Sequence, residues 1–121
     1  MKIAIIGASK DRTKFSNKAV RAYKENDHVV FPVNPNEREI EGLKCYASLR
    51  EIPLELDAVS LYLPPEIGIK VIDEIIKKEI PIVYLNPGTE SKAIITKLKK
   101  AKIKTLLECS IRAINVNPAS L

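Results

Sequence analysis

Lys2-Ile3-Ala4-Ile5-Ile6-Gly7-Ala8-Ser9 opens the chain. From Ile3 to Ile6 the run is apolar without polar alternation, which suits a strand buried on both faces at the centre of a parallel sheet. Gly7 stands just past its end, where glycine lets the backbone approach a phosphate closely. A second strand, from about His28 to Val33, runs out into Asn34-Pro35. The two together read as the start of a nucleotide-binding α/β domain.

Working outward, Phe15 to Tyr23 sets Phe15, Ala19, Val20, Ala22 and Tyr23 on one helical face, with Ser16 or Asn17 as the expected cap. Glu39 to Leu49 reads as a loop with a short extended piece, and Ser48 to Ile52 as one helical turn stopped by Pro53. Ala58 to Leu63 is a third strand, closed by Pro64-Pro65, and proline suits the first turn of the next helix. In that helix Ile67, Val71, Ile72, Ile75 and Ile76 recur at helical spacing. Ile82 to Leu85 is a fourth strand, and Asn86-Pro87-Gly88 leads to a helix capped by Thr89 that turns Ala93, Ile94 and Leu98 inward. A last strand lies near Lys104 to Leu107, before a tail with little pattern. Strands alternate with helices through crossovers too long for hairpins. The fold class expected is α/β: a Rossmann-like, doubly wound, mainly parallel sheet with helices on both faces.

At 121 residues and 45% apolar content the chain fits a single domain, residues 1–121, with a real core. Its formal charge of +5 suits an anionic partner, but the densest basic run, Lys97 to Lys104, is interleaved with Leu98, Ala101 and Ile103 as a solvated helix face would be. The chain has no tryptophan, and its few aromatics do not interleave with basic clusters, so no nucleic-acid platform is expected. The preference for lysine, isoleucine and glutamate is thermophile-like. Cys45 and Cys109 form no CxxC and His28 is the single histidine, so no metal site is expected. A strand beginning at residue 2 leaves no room for a signal peptide, and no apolar run approaches the ~20 residues of a membrane span. The expectation is a cytoplasmic protein with reduced thiols, no membrane partner and no nucleic acid. A homodimer is compatible with an exposed apolar sheet edge.

In such sheets ligands bind at the carboxyl ends of the strands, where strand order reverses. Four loops leave those ends: Gly7 to Asn17, Val33 to Asn36, Leu63 to Glu66 and Asn86 to Glu90. The first departs from GxGxxG, since Ala8-Ser9 follows Gly7 with no later glycine in register. Its backbone amides at Ala8 and Ser9, the Ser9 hydroxyl and the following helix start can still hold a diphosphate, with Lys14 as a cation. An NAD site of this type places Asp or Glu at the end of the second strand for the ribose hydroxyls, and Asn34-Pro35 stands there instead. NAD(P) is therefore the second choice of cofactor. There is no GxSxG elbow, P-loop or metal motif. His28 lies at the amino end of its strand, away from the crevice, Glu66 and Glu90 read as helix-start carboxylates, and Cys109 lies near the crevice edge as a small hydrophobe. No catalytic residue is assigned.

Gly7-Ala8-Ser9, Lys14-Phe15-Ser16-Asn17, Pro32-Val33-Asn34-Pro35, Glu39-Ile40-Glu41-Gly42 with Tyr46 and Ser48-Leu49, Pro64-Pro65-Glu66, and Asn86-Pro87-Gly88 with Glu90-Ser91 occur in order. Together they resemble the small stand-alone CoA-binding domain proteins, which are similar to the amino-terminal domain of the succinyl-CoA synthetase α subunit. The resemblance runs from residue 3 to about residue 110 and implies a Rossmann-like fold that binds coenzyme A. By position, it implies that Gly7, Ala8, Ser9 and Lys14 hold the diphosphate, with Ser16 and Asn17 beside it. Val33, Asn34 and Pro35 would line the nucleotide side, Leu63, Pro64 and Pro65 would wall the crevice, and Asn86, Pro87 and Gly88 would lie toward the pantetheine arm. Asn86 is one methylene shorter than the glutamine many members carry before Pro-Gly, and Glu108 to Ile114 follows their Arg-Cys-Ile-Met ending only loosely. The phosphorylated histidine of the synthetases belongs to another domain, so their reaction is not implied. The expected function is non-catalytic binding of CoA or acyl-CoA, with an NAD(P)-binding oxidoreductase, or its cofactor-binding subunit, as the alternative.

Overall fold

The computed structural model describes residues 1–121. Along the chain run β1 (Lys2–Ile6), α1 (Phe15–Glu25), β2 (Val29–Val33), the short strands β3 (Glu39–Ile40) and β4 (Leu43–Lys44), β5 (Ala58–Leu61), α2 (Pro65–Lys77), β6 (Ile82–Leu85), α3 (Lys92–Lys100), β7 (Lys104–Leu106) and α4 (Ser110–Ala113). Five strands form one sheet in the order β2-β1-β5-β6-β7, and every neighbouring pair is parallel. Strand order reverses between β1 and β5, so the topological switch point lies where the Gly7 turn meets the loop after β5.

Side chains alternate along each strand, which sends them into two separate cores. Ala4, Ile6, Val59, Leu61, Val83 and Leu85 pack with Ile72 and Ile75 of α2 and with Ile94 and Leu98 of α3. Ile3, Ile5, Val30, Ala58 and Tyr84 pack with Ala19, Val20 and Tyr23 of α1 and with Ile111 of α4. Helices thus cover both faces, and Ile3, Ala4 and Ile5 of β1 are fully buried, as expected of its uninterrupted apolar run. No helix is long and apolar enough to cross a membrane.

The local departures from the sequence reading have physical causes. α1 is preceded by Lys14, which makes no side-chain cap, and Ser16 and Asn17 lie inside its first turn rather than at its cap. α3 is capped by Ser91, whose hydroxyl accepts from the Ile94 amide at 3.2 Å. Thr89, the expected cap, donates its hydroxyl to the Asn86 carbonyl at 2.7 Å and closes the preceding turn. Glu90 likewise serves that turn, accepting from the Gly88 amide at 3.0 Å. The extended piece after residue 39 is a hairpin, β3 against β4, turned by Glu41 (φ 50°) and Gly42 (φ 76°). Paired left-handed residues are what a tight two-residue hairpin requires. The tail holds α4 and a 3-10 turn, Pro118–Ser120.

Candidate functional site

Gly7 ends β1 in the left-handed region, at φ 86°. A Cβ at this position would stand 2.8 Å from the Tyr62 carbonyl oxygen and 3.0 Å from Leu63 Cδ2. Glycine is needed because the two loops at the switch point touch backbone to backbone. The Gly7 and Ala8 amides both donate to the Val33 carbonyl, at 3.0 and 3.2 Å, which ties the turn to the end of β2.

From Ser9 to Lys14 the loop is shaped by its own polar groups. The Ser9 hydroxyl accepts from the Asp11 amide at 3.0 Å, and Asp11 accepts from the Thr13 amide at 3.0 Å and the Thr13 hydroxyl at 2.6 Å. Those Thr13 bonds hold the Asp11 carboxyl below the usual carboxylate range. Asn17, fully buried, donates to the Ser9 carbonyl at 2.8 Å and to the Glu41 carboxylate at 3.2 Å, and accepts from Arg21 Nε at 2.8 Å. Arg21 in turn donates to the Arg12 carbonyl at 2.8 Å. Lys10 pairs with Glu37 at 3.0 Å and Arg12 with Glu41 at 3.5 Å, so both of these cations are engaged. Lys14 is exposed and makes no ion pair. The amides of Ser9, Lys10, Phe15 and Ser16 have no partner within the chain. Unpaired amides at a helix start beside a free lysine make an anion-binding surface.

Two cavities flank this loop and share Leu63. The first, about 400 Å³, lies on the β2 side and is lined by Gly7, Val33, Asn34 and Pro35, with Leu49 and Ile67 also contributing. The second, about 520 Å³, lies on the β6 side and is lined by Leu63, Pro64, Asn86, Pro87, Gly88 and Cys109, with Phe15, Tyr62 and Arg112 also contributing. The loop that begins on one cavity at Gly7 ends on the other at Phe15. Volumes of this size fall within the range of small-molecule sites.

Asn34 is turned toward the loop. Its amide donates to the Ala8 carbonyl at 2.8 Å and its oxygen accepts from the Asn36 amide at 2.8 Å. Asn86 is buried and also spent: its amide donates to Ser60 Oγ at 2.8 Å and the Leu61 carbonyl at 2.9 Å, and its oxygen accepts from the Ser110 amide at 2.9 Å. Ser110 gathers further bonds, to Ser60 Oγ at 2.7 Å, to the Tyr62 hydroxyl at 3.3 Å and, through its carbonyl, from the Tyr23 hydroxyl at 2.6 Å. Burial pushes the Tyr62 hydroxyl up to about 12. This network seats α4, and with it Cys109 and Arg112, against the ends of β5 and β6.

Of the residues expected at the site, Gly7, Val33, Asn34, Pro35, Leu63, Pro64, Asn86, Pro87 and Gly88 line the two cavities. Ala8, Ser9 and Lys14 form the loop between them, while Ala8, Ser16 and Asn17 are buried. Pro65 is the first residue of α2 and lines neither cavity. Phe15, Tyr62 and Arg112 were not expected there. Tyr62 directly follows β5 and was legible as a strand end, whereas Arg112 lies in a tail without periodicity.

A family model described as "CoA binding domain" matches residues 1–115. A conserved hypothetical protein from Pyrococcus furiosus is 37% identical and superposes with a TM-score of 0.86, over 93% of this chain and 97% of its own. A hypothetical protein from Pyrococcus horikoshii OT3 is 28% identical with a TM-score of 0.90, over 93% of this chain and 80% of its own. In sequence, 78 residues (64% of this chain) are 33% identical to the acetate–CoA ligase [ADP-forming] of Methanocaldococcus jannaschii. The chain spans only 11% to 14% of the lengths of the curated relatives it matches.

Proposed function

The chain belongs to the CoA-binding domain family, and from that membership we propose that it binds coenzyme A or an acyl-CoA in the crevice between Gly7 and Gly88 without turning it over. The observation that carries the reading is the pair of cavities meeting at Leu63, with the unpaired amides of the Ser9–Ser16 segment between them. A ligand with a nucleotide at one end, a diphosphate in the middle and an extended arm at the other matches that order. In this reading Val33 and Pro35 face the nucleotide. The amides of Ser9, Lys10, Phe15 and Ser16 and the Lys14 ammonium hold the diphosphate. Leu63, Pro64 and Pro87 guide the arm.

Asn34 favours CoA over NAD(P). An NAD site offers the ribose hydroxyls a carboxylate at this point, whereas both polar ends of Asn34 are already bonded to Ala8 and Asn36. Both cysteines are free, which suits the reducing cytoplasm. The ligase activity of the longer relatives is not carried over to this chain.

Calorimetric titration with CoA, NADH and NADPH tests the reading, using protein shown by mass spectrometry to carry no ligand from its host. CoA alone is expected to bind. At ~100 times its dissociation constant it should stabilise the protein by roughly 2.7 kcal/mol. A silent CoA titration, or tighter binding of either nicotinamide cofactor, would overturn it.

A further inference from the structure

The 520 Å³ cavity beneath α4 has an unusual balance of polar groups. Most are already bonded within the protein: the Asn86 side chain to Ser60, Leu61 and Ser110, the Thr89 hydroxyl to the Asn86 carbonyl, the Tyr62 hydroxyl to Ser110, and the Gly88 amide to Glu90. Arg112, the one charged group among them, is not, and neither is the Cys109 thiol. The Arg112 guanidinium makes no ion pair and no hydrogen bond within the chain, whereas Arg12 and Arg21, in the Ser9–Lys14 loop and α1, are engaged. No carboxylate lines the cavity, and much of its wall is Phe15, Leu63, Pro64, Pro87 and Pro118. An unpaired guanidinium at an apolar-walled cavity is matched by a carboxylate, which its planar fork can grip through two parallel hydrogen bonds.

We propose that this cavity receives an acyl group carrying its own carboxylate, the thioester of a dicarboxylic acid, with Arg112 as the residue that recognises the distal acid. The proposal rests on the CoA reading, which runs the pantetheine arm toward Asn86-Pro87-Gly88 and so brings the acyl end into this cavity. It adds the acyl class to that reading. The network through Ser110 supports the assignment, because it fixes the helix that carries Arg112 to the sheet. Arg112 is exposed and bonds to none of these groups, so its replacement leaves the buried bonds of Ser110 intact.

The test is a matrix of affinities for the full chain. Malonyl-CoA is paired with its uncharged isostere isovaleryl-CoA, succinyl-CoA with butyryl-CoA, and free CoA serves as reference, each against wild type, Arg112→Gln and Arg112→Lys. At least one acidic thioester is expected to bind about 10-fold or more tightly than its neutral counterpart. Arg112→Gln should erase that difference while leaving free CoA unchanged, and Arg112→Lys should restore part of it. Equal affinities within both pairs would overturn the proposal. So would an equal loss for every ligand in Arg112→Gln, which would put the arginine on the phosphates. If neither CoA nor any thioester binds, the functional reading fails and this inference with it; if CoA binds without acid preference, only the inference fails.

Discussion

The Asn34 side-chain amide donates to the Ala8 carbonyl across 2.8 Å, joining the end of β2 to the glycine turn after β1. Residues 26 apart in sequence are thereby held at the switch point, by the side chain that stands where an NAD site would carry a carboxylate. The position that lacks a ribose acceptor is the position that shapes the loop after Gly7.

Asn34→Asp keeps the acceptor for the Asn36 amide but faces the Ala8 carbonyl with a second oxygen. Losing that donor to a buried carbonyl should cost about 1 to 3 kcal/mol of stability. The variant should also fail to gain NADH affinity, because the added carboxylate sits beside a carbonyl and not in open crevice. Urea denaturation and an NADH titration check both halves. An unchanged midpoint would remove the bond from the account.

Gly7→Ala and Gly88→Ala separate crowding from backbone conformation. Both glycines are left-handed, at φ 86° and 90°, which costs a substituted residue about 1 to 2 kcal/mol. At Gly7 the new methyl would also press on the Tyr62 carbonyl at 2.8 Å, whereas nothing lies within 4 Å of it at Gly88. The sequence suggested phosphate approach as the reason for Gly7, and the structure adds close contact with the loop after β5. Gly7→Ala should therefore be clearly the more destabilising in paired thermal melts, and equal losses would reject the crowding argument.

Lys14 is exposed, unpaired and at the start of α1, so its removal should not disturb the fold. Lys14→Ala is expected to leave the stability of the free protein within about 0.5 kcal/mol of wild type, as read from thermal melts. CoA affinity should fall by about 1 to 2 kcal/mol, the scale of one charge-assisted contact. The loss should shrink as salt rises, since the contact is solvent-exposed. Unchanged affinity at low salt would return Lys14 to the status of a surface loop residue.

Burial raises the Tyr62 hydroxyl to about 12 in the folded protein, above the ordinary tyrosine value of 10.0. The unfolded chain then releases this proton first as pH rises, so the folded state holds more protons and stability falls between about pH 10 and 12. Below pH 10 the contribution is fully present. Tyr23 and Tyr84 are raised by burial in the same direction, so wild type should lose stability steeply in this window. Tyr62→Phe should flatten that loss without abolishing it, as measured by denaturant midpoints at pH 8 and pH 11. Parallel curves for the two proteins would show that Tyr62 ionises as freely when folded as when unfolded.

Much of the fold was legible because parallel strands bury both faces and so appear as largely apolar runs: Ile3 to Ile6, Ala58 to Leu63 and Ile82 to Leu85 each held a central strand, the second of these ending two residues early, at Leu61. The β3–β4 hairpin and α4 were not, since two-residue strands and a four-residue helix are too short to show a period. The residues that line the two cavities were legible because Gly7, Asn34-Pro35 and Asn86-Pro87-Gly88 mark strand ends. What sequence does not encode locally is the direction of a polar side chain. Asn34 and Asn86 each spend their amides on backbone carbonyls from distant segments, and only the fold brings those carbonyls within reach.

Asn86 gives the sharpest test of that last point. Its amide and oxygen serve Ser60 and Leu61 on β5 and Ser110 on α4, and the residue is only 2% exposed. Asn86→Ala would leave the Leu61 carbonyl and the Ser110 amide without these partners in the interior, at about 1 to 3 kcal/mol for each buried group. Asn86→Gln keeps both kinds of polar atom but adds a methylene to a filled site, an overpacking worth about 1 to 3 kcal/mol. The two variants should differ at α4. Alanine cuts the link to Ser110 and should raise hydrogen exchange through residues 110–113, whereas glutamine can retain that bond with a shifted backbone. Because Arg112 stands on the same helix, the alanine variant should also lose whatever preference the protein shows for acidic acyl groups while still binding free CoA. If exchange at α4 is unaltered in Asn86→Ala, the helix is held by Tyr23, Ser60 and Tyr62 through Ser110 alone.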